Sequence, residues 1–218
     1  MNYLLAVIIA SALGYLLGSL NFSIIFVKIL TGKDIREMGS KNAGLTNTYR
    51  CAGKQCALLT LVGDVLKGVL AVTLAMLFCN MLKAGIKGDI QYIGYIAGIG
   101  AVMGHIFPVY YGFRGGKGVL AGASAFIMID PKVFIAVLAI FVVILAISKY
   151  VSLASIFSSA YCPIAVFAMS YFVDSCSLGL SILYTVLSAV MAGTIIWKHK
   201  PNIDRLIAGT ESKFVFRK

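Results

Sequence analysis

The stretch Val133-Phe-Ile-Ala-Val-Leu-Ala-Ile-Phe-Val-Val-Ile-Leu-Ala-Ile147 contains no polar side chain, and it decides the fold class. In the chain around it, 60% of the 218 residues are hydrophobic and 12% are charged, too few charges to solvate the surface of an ordinary soluble domain. A bilayer core requires about 20 apolar residues per helix. We therefore predict an all-α, polytopic integral membrane protein.

Seven apolar segments are candidates for membrane helices, although some are short or interrupted by polar groups. They are Tyr3–Leu30, Cys56–Cys79, Ile90–Tyr111, Lys117–Ile129, Val133–Ile147, Val151–Phe172 and Leu178–Trp197. The first lacks a basic n-region and is longer than the apolar part of a signal peptide, so we interpret it as a retained span. Because the connections are short, we expect residues 1–218 to form one integral domain.

Lysine and arginine cluster on alternate connections between these segments. One side holds Lys83, Lys87 and Lys132, and Lys67 lies within the second span. The other side holds the remaining fifteen: Lys28, Lys33, Arg36, Lys41, Arg50, Lys54, Arg114, Lys117, Lys149, Lys198, Lys200, Arg205, Lys213, Arg217 and Lys218. The positive-inside rule then predicts an outside N-terminus, a cytoplasmic C-terminus and an odd number of spans. The net charge of +11 is thus explained by topology rather than by nucleic-acid binding.

The cysteines and histidines offer no usual zinc ligand set. The five cysteines form no Cys-x-x-Cys pair, and the chain has only two histidines. We expect the cysteines to be small apolar packing residues and the protein to use neither a metal nor a cofactor.

Ionisable residues inside the predicted spans are costly and therefore informative. Asp64 and Lys67 are three residues apart, so they share a helix face and can form either a buried structural ion pair or a substrate-binding pair. The neighbouring Gly63 and Gly68 are expected to let another backbone approach. His105 is expected to be a hydrogen-bonded structural group or, alternatively, an acid or base. Asn21, a neutral amide in the first span, is expected to form a hydrogen bond between helices.

Three polar segments fall on the predicted cytoplasmic side. Gly39-Ser-Lys-Asn-Ala-Gly-Leu-Thr-Asn-Thr-Tyr-Arg50 combines amides, hydroxyls and exposed N–H groups, which suit a phosphate. In Gly112-Phe-Arg-Gly-Gly-Lys-Gly118 the glycines can let the backbone approach an anion, but Tyr111 and Gly118 exclude a Walker A loop. The third segment is the tail from His199 to Glu211. The alternative for all three is that they are basic only because of topology.

A short interfacial helix is predicted within this tail. Pro201 suits the first turn of a helix and Gly209 suits its end. Between them, Ile203, Leu206 and Ile207 form one apolar face, which is typical of a helix that lies on a membrane surface.

Seven motifs in order resemble the bacterial acyl-phosphate:glycerol-3-phosphate acyltransferases over nearly the whole chain. They are Gly18-Ser19, Gly39-Ser-x-Asn-x-Gly-x-Thr-Asn47, Asp64-x-x-Lys-Gly68, Gly104-His-x-x-Pro108, Gly115-Gly-Lys-Gly-Val119, Tyr150-Val-Ser-Leu-Ala-Ser155 and His199-x-x-Asn-Ile-x-Arg-Leu-x-x-Gly-x-Glu211. The sequence departs from the usual family pattern at Asn21, Leu45 and Leu120-Ala121, all beside motif residues.

The resemblance implies seven membrane helices in the bacterial inner membrane and an active site that faces the cytoplasm. It implies transfer of an acyl group from acyl phosphate to the 1-hydroxyl of glycerol 3-phosphate, with lysophosphatidic acid and phosphate as products. The implied catalytic residues are His199, Asn202, Lys117 and Ser40. The implied substrate-binding residues are Arg50, Asn42, Thr46, Asn47, Glu211 and one of Ser152 and Ser155. Membrane lipid and the two substrates are the implied partners.

The chemistry that this resemblance implies needs no covalent nucleophile, because acyl phosphate is a mixed anhydride that is already activated. Attack by the glycerol hydroxyl needs positioning, charge stabilisation and a proton acceptor. The acceptor can be the donor's own phosphate or His199. For His199 we favour a binding and orienting role.

Three other functions compete with this interpretation. His199 and Asp204 match the His-x4-Asp spacing of thioester-dependent glycerolipid acyltransferases, but Pro201 lies between them and only fourteen residues follow Asp204. A secondary transporter for an organophosphate would also combine basic loops with polar groups in the membrane, but the chain shows no internal repeat. A purely structural membrane subunit would not account for the ordered amide and glycine motifs.

Overall fold

The computed structural model describes residues 3–81 and 90–214, and these fall into two compact units that divide between Ile129 and Asp130. No strand occurs in the described parts of the chain, as the all-α prediction requires. Lys83, Lys87, Arg217 and Lys218, which entered the charge distribution, lie outside the described residues. The expected single domain stays a prediction.

The first apolar segment is two helices, α1 (Tyr3–Gly18) and α2 (Phe22–Thr31), rather than one. The break is stabilised by Asn21, whose Oδ1 accepts from the N–H of Ile24 and caps α2. Its Nδ2 donates to the carbonyl oxygen of Ala43 at 3.3 Å. Asn21 therefore joins a helix start to a loop, and the predicted interhelical role is wrong.

Helix α3 (Leu45–Met81) is the longest element and is interrupted once. Gly53 has φ 84° and ψ −178°, a backbone conformation that glycine adopts without strain, so the first turns diverge from the long apolar part. Of the two glycines predicted to admit a neighbouring backbone, Gly68 does so: a Cβ there would lie 3.0 Å from the carbonyl oxygen of Ala121. Gly63 instead faces the ring of Phe22.

Helix α4 (Gln91–Ile106) is the most enclosed helix of the first unit, and it packs closely on α1. A Cβ at Gly14 would lie 2.2 Å from the carbonyl oxygen of Ala97, and one at Gly104 would lie 2.2 Å from that of Tyr15. Paired glycines of this kind let helix backbones approach in a membrane, where van der Waals contact drives helix association.

The fourth predicted span is shorter than expected, because its helix, α5, covers only Val119–Ile129. Eleven residues of α-helix rise only about 16 Å, about half of a bilayer core. Lys117 precedes the helix and lies in a loop. Nevertheless, the Ile129 carbonyl accepts from the Gln91 side chain at 3.3 Å, so α5 ends beside the start of α4.

The second unit consists of α6 (Pro131–Ser148), α7 (Val151–Ala168), a π-helical turn (Met169–Val173), α8 (Leu178–Lys198) and α9 (Lys200–Ile207). Helix α7 packs against both α6 and α8. Helix α9 confirms the predicted tail helix, with Pro201 in its first turn and Gly209 at φ +69° beyond its end. On its predicted apolar face Ile207 is 82% exposed.

Six helical segments of the described chain are long and apolar enough to cross a membrane: Leu4–Thr31, Leu45–Met81, Gln91–Tyr111, Pro131–Ser148, Val151–Val173 and Leu178–Lys198. Helix α6 has a single buried residue, Val133, although nearly all of its side chains are apolar. Such a helix would be insoluble with water around it, but it is stable in lipid. The protein is therefore a multi-pass membrane protein.

Candidate active site

Asn47 shapes the polar segment that precedes α3. Its Nδ2 group donates to the carbonyl oxygens of Ile35, Met38 and Asn42 at 3.3, 2.9 and 3.1 Å. Its Oδ1 accepts from the N–H of Ser40 at 3.0 Å, and the side chain is buried. The amide of Asn47 is thus occupied by its own loop, and its substrate-binding role stays a prediction.

The other predicted residues of this segment lie nearer the surface. Ser40 is exposed, whereas Asn42, Thr46 and Arg50 are half-buried. We expected this segment to expose its backbone N–H groups to an anion, but several of them are already hydrogen-bonded to the protein. The N–H groups of Ser40, Gly44 and Thr48 donate within the segment, and that of Lys41 donates to the carbonyl of the preceding Met38. A phosphate here would depend on side-chain donors more than on backbone N–H groups.

Two glycines of the Gly112–Gly118 segment, Gly115 and Gly116, pack against other parts of the protein, whereas we expected them to let the backbone approach an anion. The N–H groups of Gly115 and Gly116 donate to the carbonyl oxygens of Ile106 and His105 at 3.1 and 3.0 Å. A Cβ at Gly115 would lie 2.0 Å from the His105 oxygen, and one at Gly116 would lie 2.3 Å from the Ala43 oxygen. These two glycines allow close packing against α4 and the neighbouring loop, and their N–H groups do not face an anion.

Lys117 follows these glycines and is half-buried two residues before α5 begins. The backbone of Gly118 then turns at φ +85°, which only glycine adopts readily. Lys117 is thereby held on a tightly packed loop beside a helix N-terminus, a position that favours an anion.

Arg36 joins the residues that precede the first polar segment to the residue that precedes the second, a role that the sequence did not reveal. Its guanidinium bonds the Asp34 carboxylate at 2.7 Å, and Nη1 donates to the Tyr111 carbonyl at 2.7 Å. The hydrogen bond from Arg36 holds the pKa of Asp34 below its usual value. The Asp-x-Arg spacing was the available signal, but two residues do not identify a distant carbonyl partner.

Asp64, Lys67 and His105 form a buried cluster in the first unit. Lys67 Nζ lies 2.7 Å from Oδ1 of Asp64, and it donates to the carbonyl oxygen of Leu20 at 2.8 Å. It also lies 2.8 Å from Nδ1 of His105, which accepts because an ammonium can only donate. Lys67 thus has an ion-pair partner and two hydrogen-bond acceptors within the protein. The geometry favours the structural interpretation of the pair over direct substrate binding.

Glu211 is the centre of a hydrogen-bonded cluster in the second unit. Its Oε1 accepts from Ser152 Oγ at 2.8 Å and from Asn202 Nδ2 at 2.7 Å, and its Oε2 accepts from Arg205 Nε at 2.6 Å. Burial alone would raise the pKa of Glu211, but the hydrogen bonds from Asn202, Ser152 and Arg205 outweigh it and lower the pKa. The ionised carboxylate therefore fastens the start of α7 to α9.

The two candidate serines of α7 differ in their partners. Ser152 belongs to the Glu211 cluster, whereas Ser155 Oγ donates to the Val151 carbonyl at 2.8 Å within its own helix. Both are buried. The choice between them as a substrate-binding serine stays open, but Ser152 is the one that contacts another predicted site residue.

His199 lies at the junction of α8 and α9 and is buried. Its Nδ1 lies 2.8 Å from the carbonyl oxygen of Ile195. Because a carbonyl can only accept, Nδ1 carries the hydrogen, and the lone pair of the neutral ring is on Nε2. Asp204 is exposed on α9. In the His-x4-Asp interpretation the aspartate would accept the hydrogen bond from Nδ1 of His199. The carbonyl of Ile195 accepts that hydrogen bond instead, which argues against this interpretation.

Fold and site together define a class: multi-pass helical membrane proteins whose connecting segments present arginine, lysine, amide and hydroxyl groups. A family model described as glycerol-3-phosphate acyltransferase matches residues 8–209. The chain is 39% identical over 201 residues to a glycerol-3-phosphate acyltransferase of Geobacillus kaustophilus, covering 92% of each chain. It is 38% identical over 206 residues to that of Clostridioides difficile, covering 94% of each.

Solved structures agree with the sequence relatives. One is the glycerol 3-phosphate form of PlsY (YgiH), an integral membrane glycerol 3-phosphate acyltransferase, with a TM-score of 0.77 and 32% identity over 98% of this chain and 96% of that one. The lysophosphatidic acid form of PlsY gives a TM-score of 0.75 and 30% identity, covering 98% and 95%. The chain belongs to the glycerol-3-phosphate acyltransferase family, and it is a membrane-embedded acyltransferase.

Proposed function

We propose that this enzyme transfers a fatty acyl group from acyl phosphate to the 1-hydroxyl of glycerol 3-phosphate, giving lysophosphatidic acid and phosphate. The main support for this proposal is the near full-length similarity to structures of PlsY, which were solved in a glycerol 3-phosphate form and a lysophosphatidic acid form. The acyl-phosphate donor is what the resemblance of the sequence motifs to the acyl-phosphate:glycerol-3-phosphate acyltransferases implies. The contact between Nδ1 of His199 and a backbone carbonyl argues against the aspartate-oriented histidine of the thioester-dependent alternative.

In this reaction the oxygen of the 1-hydroxyl of glycerol 3-phosphate forms a bond to the acyl carbonyl carbon. The bond from that carbon to the phosphate oxygen of the acyl phosphate breaks. The electron pair of the broken bond leaves with phosphate, and the hydroxyl proton passes to a base. Phosphate is a good leaving group from a mixed anhydride. The enzyme therefore needs to orient two anionic substrates and to stabilise charge, rather than supply a nucleophile.

Within the first unit, the groups that we propose to bind phosphate are cations, hydroxyls and an amide. Lys117 and Arg50 neutralise phosphate oxygens, and Ser40, Asn42 and Thr46 donate hydrogen bonds to them. Asn47 acts differently, because its amide is already bonded to the loop. We assign Asn47 to holding Ser40 and Asn42 in place.

Within the second unit, the residues that we propose to act are His199 and Asn202. With Nδ1–H donated to the Ile195 carbonyl, Nε2 is the ring atom that accepts when His199 is neutral, which suits binding and orienting of the glycerol hydroxyl or acceptance of its proton. The donor's phosphate is the alternative base. Glu211 and Ser152 serve to fix the side chain of Asn202, since all three meet at one carboxylate oxygen.

We also infer seven crossings, an outside N-terminus and a cytoplasmic site in the bacterial inner membrane. Support for the seventh crossing comes from α5: Gly118 packs against Val102 and Ile106 late in α4, and Ile129 reaches Gln91 at its start. The short helix and its preceding loop thus return along the whole of α4. With an odd number of crossings, the basic connections fall on the cytoplasmic side.

The direct test incubates the purified protein in detergent with radiolabelled glycerol 3-phosphate and palmitoyl phosphate. We expect radiolabelled lysophosphatidic acid and an equal amount of released phosphate. A parallel assay measures uptake of glycerol 3-phosphate into vesicles that contain the protein. Uptake without lysolipid formation would contradict the proposal and favour a transporter.

A further inference from the structure

The two polar segments of the first unit meet at Gly116. A Cβ at this position would lie 2.3 Å from the carbonyl oxygen of Ala43, in the first segment, and 2.2 Å from Nε2 of His105. Gly116 is therefore enclosed between the loop that carries Ser40 and the imidazole ring. Asn21, the N-cap residue of α2, donates to the same Ala43 carbonyl and so holds that carbonyl in place.

The ring that supports Gly116 is itself held by a buried network. His105 Nδ1 accepts from Lys67, and Lys67 is paired with Asp64 and bonded to the Leu20 carbonyl at the break between α1 and α2. The carbonyl of His105 also accepts from the N–H of Gly116. His105 therefore contacts the loop that precedes Lys117 with both its side chain and its backbone carbonyl.

We propose that the Asp64–Lys67–His105 cluster positions Lys117 by fixing the Gly115–Lys117 loop against the Ser40–Arg50 segment. The inference rests on the proposed function, in which Lys117 binds phosphate. The three residues touch no substrate; they are positioning residues. A charged cluster suits this task because its geometry is directional, whereas apolar packing would let the loop shift, and a displacement of about 1 Å can cost about a hundredfold in rate.

The test is a double-mutant cycle on kcat/KM for glycerol 3-phosphate. His105→Asn places an amide oxygen where Nδ1 stood, so Lys67 keeps its acceptor, but the ring atoms against Gly116 are lost. We expect folded protein with kcat/KM lowered about tenfold, chiefly through a higher KM. In a Lys117→Ala background the same change should lower kcat/KM less than twofold, because the loop then has no cation to position.

A matched control is Lys132→Met, which removes another ion-paired lysine, bonded to Asp174 in the second unit. It should leave kcat/KM within about twofold in either background. If His105→Asn and Lys117→Ala lower kcat/KM independently, the positioning role is overturned. Gly116→Ala provides a second cycle with Lys117→Ala if His105→Asn does not fold, and the same non-additivity is expected.

Failure of this inference is distinguishable from failure of the proposed function. Wild-type synthesis of lysophosphatidic acid together with a strong loss in Lys117→Ala supports the proposed function by itself. Additive effects would then remove only the positioning role. No synthesis by the wild-type protein would instead contradict the proposed function.

Discussion

At the scale of single residues, several polar side chains of the motifs are held in place by hydrogen bonds to other groups of the protein. Asn47 and Glu211 were both expected to bind substrate. In the structure their polar atoms meet protein donors and acceptors. A motif identifies the residue type at a position, and the partner depends on contacts between residues far apart in the chain.

Lys117→Ala should abolish most of the activity without preventing membrane insertion. A cation bound to phosphate contributes through a charge-assisted hydrogen bond, so we expect kcat/KM to fall about a hundredfold or more. The matched control is Arg114→Ala, three residues earlier and exposed, which should cost much less. Equal losses in the two variants would mean that only the general positive charge of the loop matters.

Glu211 should make stability depend on acidic pH. Its pKa is lowered in the folded protein from the usual 4.5, so its contribution is present above that value and is lost as pH falls through the folded pKa. The melting temperature in detergent should therefore drop more for the wild type than for Glu211→Gln between about pH 6 and pH 3. Parallel curves for the two proteins would contradict the ionised cluster.

At the scale of elements, apolar runs predicted the long helices well but missed their interruptions. The segment Leu178–Trp197 became α8 with one added residue. By contrast, the break at Asn21 depends on the distant Ala43 carbonyl, and the kink in α3 depends on the conformation of Gly53. Neither feature follows from hydrophobicity along the chain, because each is set by tertiary contacts or by a single backbone torsion.

Helix α3 should depend on its buried ion pair in a non-additive way. Replacing either Asp64 or Lys67 by Ala leaves a buried charge without its partner, which typically costs about 3–5 kcal/mol. The double replacement should be less damaging to folded yield and melting temperature than either single one. It should still have lower activity than the wild type, because His105 loses its donor. A double variant worse than both singles would contradict the ion-pair interpretation.

The contact between α1 and α4 should not tolerate one added methyl group. In Gly14→Ala the new Cβ would lie 2.2 Å from the Ala97 carbonyl, so the helices must separate, at a cost of about 1–3 kcal/mol or more. Gly193→Ala on α8, where nothing lies within 4 Å, is the matched control and should be neutral or slightly stabilising. Thermal unfolding in the same detergent compares them, and equal melting temperatures would contradict the close packing.

At the scale of the whole molecule, the hydrophobicity and charge of the sequence suffice to identify a multi-pass membrane protein. The chain has large exposed apolar side chains on every long helix, so lipid is its solvent over most of its length. In the described parts of the chain, the Asp64–Lys67–His105 cluster lies inside α3 and α4, and most of the other candidate site residues lie near helix ends, in connecting segments or in the tail. This division of the chain is what an enzyme needs to handle one lipid substrate and one water-soluble phosphate ester.

The choice of acyl donor distinguishes the proposed reaction from that of a thioester-dependent acyltransferase. Purified enzyme is supplied with glycerol 3-phosphate and either palmitoyl phosphate or palmitoyl-coenzyme A, and lysophosphatidic acid formation is measured for the wild type, Asp204→Asn and Asn202→Ala. We expect turnover with palmitoyl phosphate and none with palmitoyl-coenzyme A. The activity with palmitoyl phosphate should be retained in Asp204→Asn and lost in Asn202→Ala. Comparable turnover with palmitoyl-coenzyme A that Asp204→Asn abolishes would contradict it.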